Sequence, residues 1–142
     1  MTHESFKLNR YPETLAVVRL GPGTEVPAWA ESSSLFSITA TATETSIVCA
    51  ARSVPTKSVH QRPFTAFEVE GPLDFALTGV LAALLAPLAA AEISVFTIST
   101  FDTDWILVPG DKADQAADEW RRAGHEVATA VPAKPPRRKS SR

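Results

Sequence analysis

Apolar and small polar residues alternate in the same order at two places in the chain. Leu35-Phe36-Ser37-Ile38-Thr39-Ala40-Thr41-Ala42-Thr43-Glu44-Thr45-Ser46-Ile47-Val48 recurs sixty residues later as Val95-Phe96-Thr97-Ile98-Ser99-Thr100-Phe101-Asp102-Thr103-Asp104-Trp105-Ile106-Leu107-Val108, with an acid at Glu44 and at Asp104. Alternation with β-branched enrichment predicts strands over 35–41 and 45–51, with a hairpin near Thr43-Glu44, and again over 93–100 and 104–108. A second echo sets Gly21-Pro22, after the apolar run 15–20, against Gly71-Pro72, after the alternating run 64–70. Both runs read as strands entering tight loops. The chain therefore reads as two copies of one small unit, the second with a longer connection.

The copies differ in helix. In the second, Leu77, Val80, Leu81, Leu84, Leu85 and Leu88 follow the spacing of one buried face, which predicts a helix over 78–91 with Thr78 as its N-cap. Pro87 removes one hydrogen bond from its last turn. A second helix is expected over 111–123, with Ala113, Ala116, Ala117, Trp120 and Ala123 toward the core and Gly124 as a left-handed C-cap, followed by a closing strand over 125–129. This is the order βαββαβ, the ferredoxin-like arrangement. The first copy offers three strands and a single helical turn around Trp29. The fold class expected is α+β, two ferredoxin-like units in tandem, the first abbreviated, with antiparallel sheets and helices on one face. The expected divisions are an N-terminal segment (1–13), a first abbreviated unit (14–62), a second unit (63–130) and a disordered basic tail (131–142).

Charge narrows the function classes. Lys134, Arg137, Arg138, Lys139 and Arg142 are five of the fourteen bases, which leaves nine bases against sixteen acids over residues 1–130. An acidic body argues against nucleic acid and suits a pocket for a cation or amine. The single cysteine, Cys49, lies in an apolar run and reads as a small core residue, and a reducing compartment is the default. The uncharged stretch 75–91 is shorter than the ~20 residues needed to span a bilayer and contains Pro87. A soluble, cytoplasmic protein is expected. His3, His60 and His125 have no metal-ligand spacing, Ser32-Ser33-Ser34 lacks a nucleophile elbow and reads as loop, and Asp102 with Asp104 lacks an accompanying nucleophile or base. No enzyme, metal or cofactor is expected.

The run Thr78-Gly79-Val80-Leu81-Ala82-Ala83-Leu84-Leu85-Ala86-Pro87-Leu88-Ala89-Ala90-Ala91-Glu92-Ile93-Ser94-Val95 resembles ACT domains, small regulatory modules that usually bind amino acids. Continued through Ile98 to Pro109, it is similar to the tandem ACT proteins related to the CASTOR arginine sensors. Threonine stands at 78 where many ACT domains have proline, and glutamate at 92 where many have glycine. The resemblance implies that the loop 71–78, which includes Asp74 and Thr78, holds an amino acid. It also implies that residues matching Thr100, Phe101 and Asp104 lie at the ligand's basic end.

The residues themselves supply compatible chemistry. Free N–H groups at about Gly79, Val80 and Leu81 and the positive end of the helix dipole suit a carboxylate, while Asp104 suits an ammonium or guanidinium. Gly79 could equally serve close helix packing, and Asp104 could be a turn aspartate bonded to its own backbone. The expectation is a non-enzymatic regulatory protein that binds a free amino acid at the seam between the repeats. The alternative is a protein interaction or oligomerisation module without a metabolite. The alanine-rich outer face of the first helix points to a covering surface, in a homodimer or with a regulated partner protein.

Overall fold

The computed structural model describes residues 5–74 and 78–130. Seven strands run in the order β1 (Lys7–Leu20), β2 (Ser37–Ala40), β3 (Thr45–Ala50), β4 (His60–Val69), β5 (Phe96–Ser99), β6 (Asp104–Pro109) and β7 (Glu126–Thr129). Helix α1 (Val80–Ala90) joins β4 to β5, and α2 (Ala113–Arg122) joins β6 to β7. The strands form one sheet in the order β2-β3-β1-β4-β6-β5, with β7 pairing to β1 as well. About the antiparallel β1–β4 pair this order reads the same from either end: an inner strand, then an antiparallel hairpin.

The hairpins match at an offset of 59 rather than sixty. Ala40 faces Thr45 and Ser99 faces Asp104, and short 3₁₀ turns follow at Ala51–Ser53 and Gly110–Lys112. The turns share their bonding: Thr41 N–H donates to Glu44 O at 2.9 Å, and Thr100 N–H to Thr103 O at 2.8 Å. Asp104 therefore corresponds to Thr45, and the Glu44–Asp104 match expected from the letters is one residue out of register.

The two units do not form separate sheets. β1 is fourteen residues long and crosses the expected boundary at residue 13, and β4 crosses the one at residue 62. Lys7 to Arg10 pair in parallel with β7 while Leu8 to Arg10 also pair with β4, so β1 lies between the outer strands of the ferredoxin-like unit. Residues 7–13 escape a pattern search because Tyr11-Pro12-Glu13 falls where the pairing register shifts, between Arg10 and Thr14.

Helices cover one half of one face. Val80, Leu84 and Leu88 of α1 and Ala113, Ala116, Ala117 and Trp120 of α2 bury against Leu8, Phe67, Val69, Ile106 and Val108. Trp120 Nε1 donates to Leu84 O at 2.8 Å and its ring meets Phe67 edge-on at 4.8 Å. Leu77 lies outside the described residues, and Ala123 is exposed. Both helices end in the same two-bond lock: Ile93 N–H reaches Leu88 O and Glu92 N–H reaches Ala89 O, while His125 N–H reaches Trp120 O and Gly124 N–H reaches Arg121 O. Glu92 itself adopts the left-handed conformation, φ 59°, that glycine would take without strain. Thr78 does not cap α1: the N-cap is Gly79 at φ 81°, with no side-chain cap. No helix of the described residues is long and apolar enough to cross a membrane, and the tail 131–142 lies outside them.

Over the first half, loop 21–34 takes the place of helices. Only a turn at Ala28-Trp29 remains of the helical turn expected there. Trp29 and Ala30 pack on Ala16, Val18, Ile47 and Cys49, and burial pushes the Cys49 thiol up, as suits a small core residue. Glu13, whose side chain is 8% exposed, anchors the loop. Its carboxylate accepts from the hydroxyls of Ser32, Ser33 and Ser34 at 2.5, 2.7 and 2.6 Å, from the Ser33 and Ser34 N–H groups, and from Arg52 at 2.8 Å.

Burial alone would raise the pKa of Glu13, but the donors from Ser32, Ser34, Arg52 and Ser33 outweigh it and hold the carboxyl well below the usual range. A depressed folded-state pKa contributes stability above the unfolded value, about 4.3, that is lost as pH falls toward the folded one. Glu13→Gln should therefore cost roughly 2–3 kcal/mol at pH 7, and the difference from wild type should shrink as urea melts are moved to lower pH through and below about 4. A pH-independent difference would mean that the charge is irrelevant to the anchor.

Thr45, 2% exposed, has a buried hydroxyl oxygen without a hydrogen-bond partner. Thr45→Val removes that orphan and should raise unfolding free energy by about 1 kcal/mol in urea denaturation. A loss of stability would show that the hydroxyl is satisfied in solution.

Candidate functional site

At the start of α1 the chain makes an open cavity of about 290 Å³. One wall is Leu73, Asp74, Gly79, Val80 and Leu81, and the other is the β5–β6 turn with its flanks, residues 99–104. The first intrahelical bond runs from Ala83 N–H to Gly79 O, so the N–H groups before it belong to Val80, Leu81 and Ala82. The left-handed Gly79 turns the loop into the helix so that this end of α1 borders the cavity.

The opposite wall is held by its own bonds. Ser99 Oγ donates to Asp104 Oδ1 at 2.6 Å across the last hairpin pair. The Thr100 hydroxyl donates to Thr103 O at 3.1 Å and accepts from Thr103 N–H, so it serves the turn. Thr103 is buried and its hydroxyl donates to Val69 O. Leu73 N–H donates to Asp102 O at 2.7 Å, tying the two walls together.

Asp74, Gly79, Val80, Leu81, Thr100, Phe101 and Asp104 are thus brought to one cavity, while Thr78 is not among the residues that line it. Phe101, 83% exposed, stands at the rim. Sequence reasoning passed over Leu73, Ser99 and Thr103, and weighed Asp102 without placing it in the site. Ser99 was legible in principle, since a four-residue turn places it directly opposite Asp104. Among the described residues that line the cavity, three are aspartates, none is basic, and all lie within 73–104. The two halves meet through the β1–β4 pairing, which shifts register between Arg10 and Thr14 and between Leu15 and Val17, and through the packing of Leu15, Val48, Ala66, Trp105 and Leu107. Among the described residues no cluster of three or more His, Cys, Asp or Glu could hold a metal ion.

The order of β4 to β7 with α1 and α2 is the βαββαβ, ferredoxin-like arrangement, here with a cavity between its first helix and its hairpin. The profile of one family, the ACT domain, matches residues 59–118, and a second profile, describing an N-terminal domain, matches residues 13–57. Residues 59–118 form an ACT domain, and part of the chain is similar to the cytosolic arginine sensors. It is 38% identical over 61 residues to the cytosolic arginine sensor for mTORC1 subunit 1 of Rattus norvegicus, covering 43% of this chain and 18% of that protein. Against the Homo sapiens protein it is 52% identical over 40 residues, covering 28% and 12%. The chain thus spans less than a fifth of the length of these curated relatives.

A crystal structure of an Agobacterium tumefaciens protein superposes with a TM-score of 0.84 at 30% identity, over 94% of this chain and 99% of that one. The regulatory subunit of aspartate kinase from Thermus flavus shares the fold, with a TM-score of 0.59 at 7% identity over 82% and 96% of the two chains.

Gly71 lets the two walls of the cavity close. A Cβ there would stand 3.0 Å from Leu73 N, 3.1 Å from Asp102 O and 3.3 Å from Thr103 Cβ, and backbone neighbours cannot swing aside. Gly71→Ala should push the loop off the turn and lower stability by about 1–3 kcal/mol in thermal melts. An unchanged melt would show that the loop is not held against the turn in solution.

Proposed function

We propose that the protein is a non-enzymatic regulatory module that binds a free amino acid in the cavity between α1 and the β5–β6 turn, with the first half acting as an abbreviated ACT unit that completes the sheet. The observation that carries this reading is the polarity of the cavity. Helix N–H groups stand at one wall, and Asp74, Asp102 and Asp104 lie among the lining residues, with no basic side chain among them. A zwitterion fits such a cavity in one sense, with its carboxylate at the helix start and its amine or cationic side chain toward Asp104. The similarity to arginine sensors ranks cationic amino acids first. A cytoplasmic location is part of this reading.

A second reading rests on α1. Ala82, Ala83, Ala86, Ala89 and Ala90 are all exposed, and the helix carries no charge. That surface suits a homodimer or a regulated partner protein, and with no metabolite at all it would make the chain an interaction module.

A thermal-shift screen of the twenty amino acids separates the two. At about 100 times the dissociation constant, linkage gives about 2.7 kcal/mol, a rise of several degrees. Asp104→Ala should weaken the amino acid that responds by about 1.5–3 kcal/mol in calorimetry and leave the apo fold intact. No shift with any of the twenty favours the interaction module, and a shift with unchanged affinity in Asp104→Ala removes Asp104 from the site.

A further inference from the structure

The two ends of the six-strand path, β2 and β5, line one gap of about 360 Å³. Its walls are residues 37–39 of β2 and 96–99 of β5, with Ser46 and Val48 beneath. Consecutive residues of a strand point to opposite faces, so a gap lined by 37, 38 and 39, and by 96 through 99, takes in both strand edges, with Ser46 and Val48 lining it from one face of the sheet.

The turns fix which main-chain groups face it. Thr41 N–H bonds to Glu44 O and Thr100 N–H bonds to Thr103 O, and antiparallel pairs alternate between bonded and non-bonded. Counting back from the turns, Thr39 and Ser37 are bonded to β3, and Ile98 and Phe96 to β6. Ile38, Thr97 and Ser99 therefore turn their N–H and C=O groups away from their partner strands and toward the gap.

Edge strands are ordinarily blunted by lysine, proline or a bulge. Ser37-Ile38-Thr39-Ala40 and Phe96-Thr97-Ile98-Ser99 carry none of these. None of the residues lining the gap is charged, and Phe36, Ile38 and Val95 expose 40%, 44% and 38% of their surface beside it.

We propose that this gap is a docking groove for an extended, uncharged, β-branched segment of a partner polypeptide, which pairs its main chain with both edges. A helix satisfies its own main-chain groups and would leave both edges unpaired. A charged segment would lose its hydration in a groove that holds no counter-charge. Four residues of edge match a segment of about four residues, roughly 13 Å long. This groove adjoins the amino-acid cavity at Ser99, which lines both, while Ile38 and Thr97 line the groove and not the cavity.

The test is amide hydrogen exchange, read by NMR on the full chain, with the capped peptide acetyl-Thr-Val-Thr-Ile-Thr-amide added to millimolar concentration. The expected result is at least about tenfold slower exchange at the amides of Ile38 and Thr97, with those of Phe96 and Ile98 already protected in the free protein. Thr97→Pro removes an N–H that the β5–β6 ladder does not use, so it should leave the fold intact by circular dichroism and abolish the protection at Ile38. Unchanged exchange at Ile38 and Thr97 with the peptide overturns the proposal. So does protection without peptide that grows with protein concentration, which would make the occupant a second copy of this chain.

Discussion

The structure depends on the double pairing of β1. Its main chain serves β7 over Lys7 to Arg10 with β4 over Leu8 to Arg10, then β3 over Leu15 to Leu20 with β4 from Thr14 to Val18. One half then cannot unfold without stripping hydrogen bonds from the other, because each buried main-chain group left unpaired carries the desolvation penalty of a lost bond. Units of about sixty residues are marginal alone. Here the second unit takes its missing neighbour strand from the first, and the first covers its sheet with a loop instead of helices.

A strand that serves two partner sets must change register between them, and Glu13 sits at that change. Its carboxylate draws hydroxyl and N–H donors from three consecutive serines and a guanidinium from Arg52 at the end of β3. Arg52 also lies 3.6 Å from Glu31, and Ser53 donates to the same acid at 2.8 Å. The loop therefore gains polar fixation beside its apolar contact with the sheet, which is made through Trp29 and Ala30. Where the second half buries α1 and α2 by hydrophobic contact, the first half holds its cover by charge-assisted hydrogen bonds.

The sequence made some of this legible and not the rest, for physical reasons. Strand alternation and the leucine spacing of α1 report burial directly, so both hairpins, α1 and the buried face of α2 could be read from the letters. The path of β1 could not be read, because Lys7 to Glu13 mixes charged, aromatic and proline residues across a bulge and its pairing is entirely non-local. The α1 cap was misread because a hydroxyl at Thr78 looks like a cap, whereas Gly79 at φ 81° is what the chain geometry uses. The lining residues of the cavity were largely legible because they cluster at one helix start and one turn. A pocket at the seam was expected from the internal repeat, while the described cavity lies beside it, at residues 73–104, and the two halves meet through the interrupted β1–β4 ladder and a packed core.

Comparing the two hairpins at an offset of 59 also explains why only one of them faces such a cavity. Ser99 and Asp104 form a hydroxyl–carboxylate pair at the second turn, and the matching positions in the first are Ala40 and Thr45. Without either partner of that pair, Thr45 is buried with an orphan hydroxyl. Asp102 O receives the Leu73 N–H that ties loop to turn, whereas Thr43 O receives a guanidinium nitrogen of Arg19 at 3.3 Å. The first turn thus presents no carboxylate at the Asp104 position and faces no helix start, since loop 21–34 stands where α1 would be. Among the described residues, the polarity that suits a zwitterion, helix donors at one end and carboxylates at the other, is built in the second half and not at the matching turn of the first.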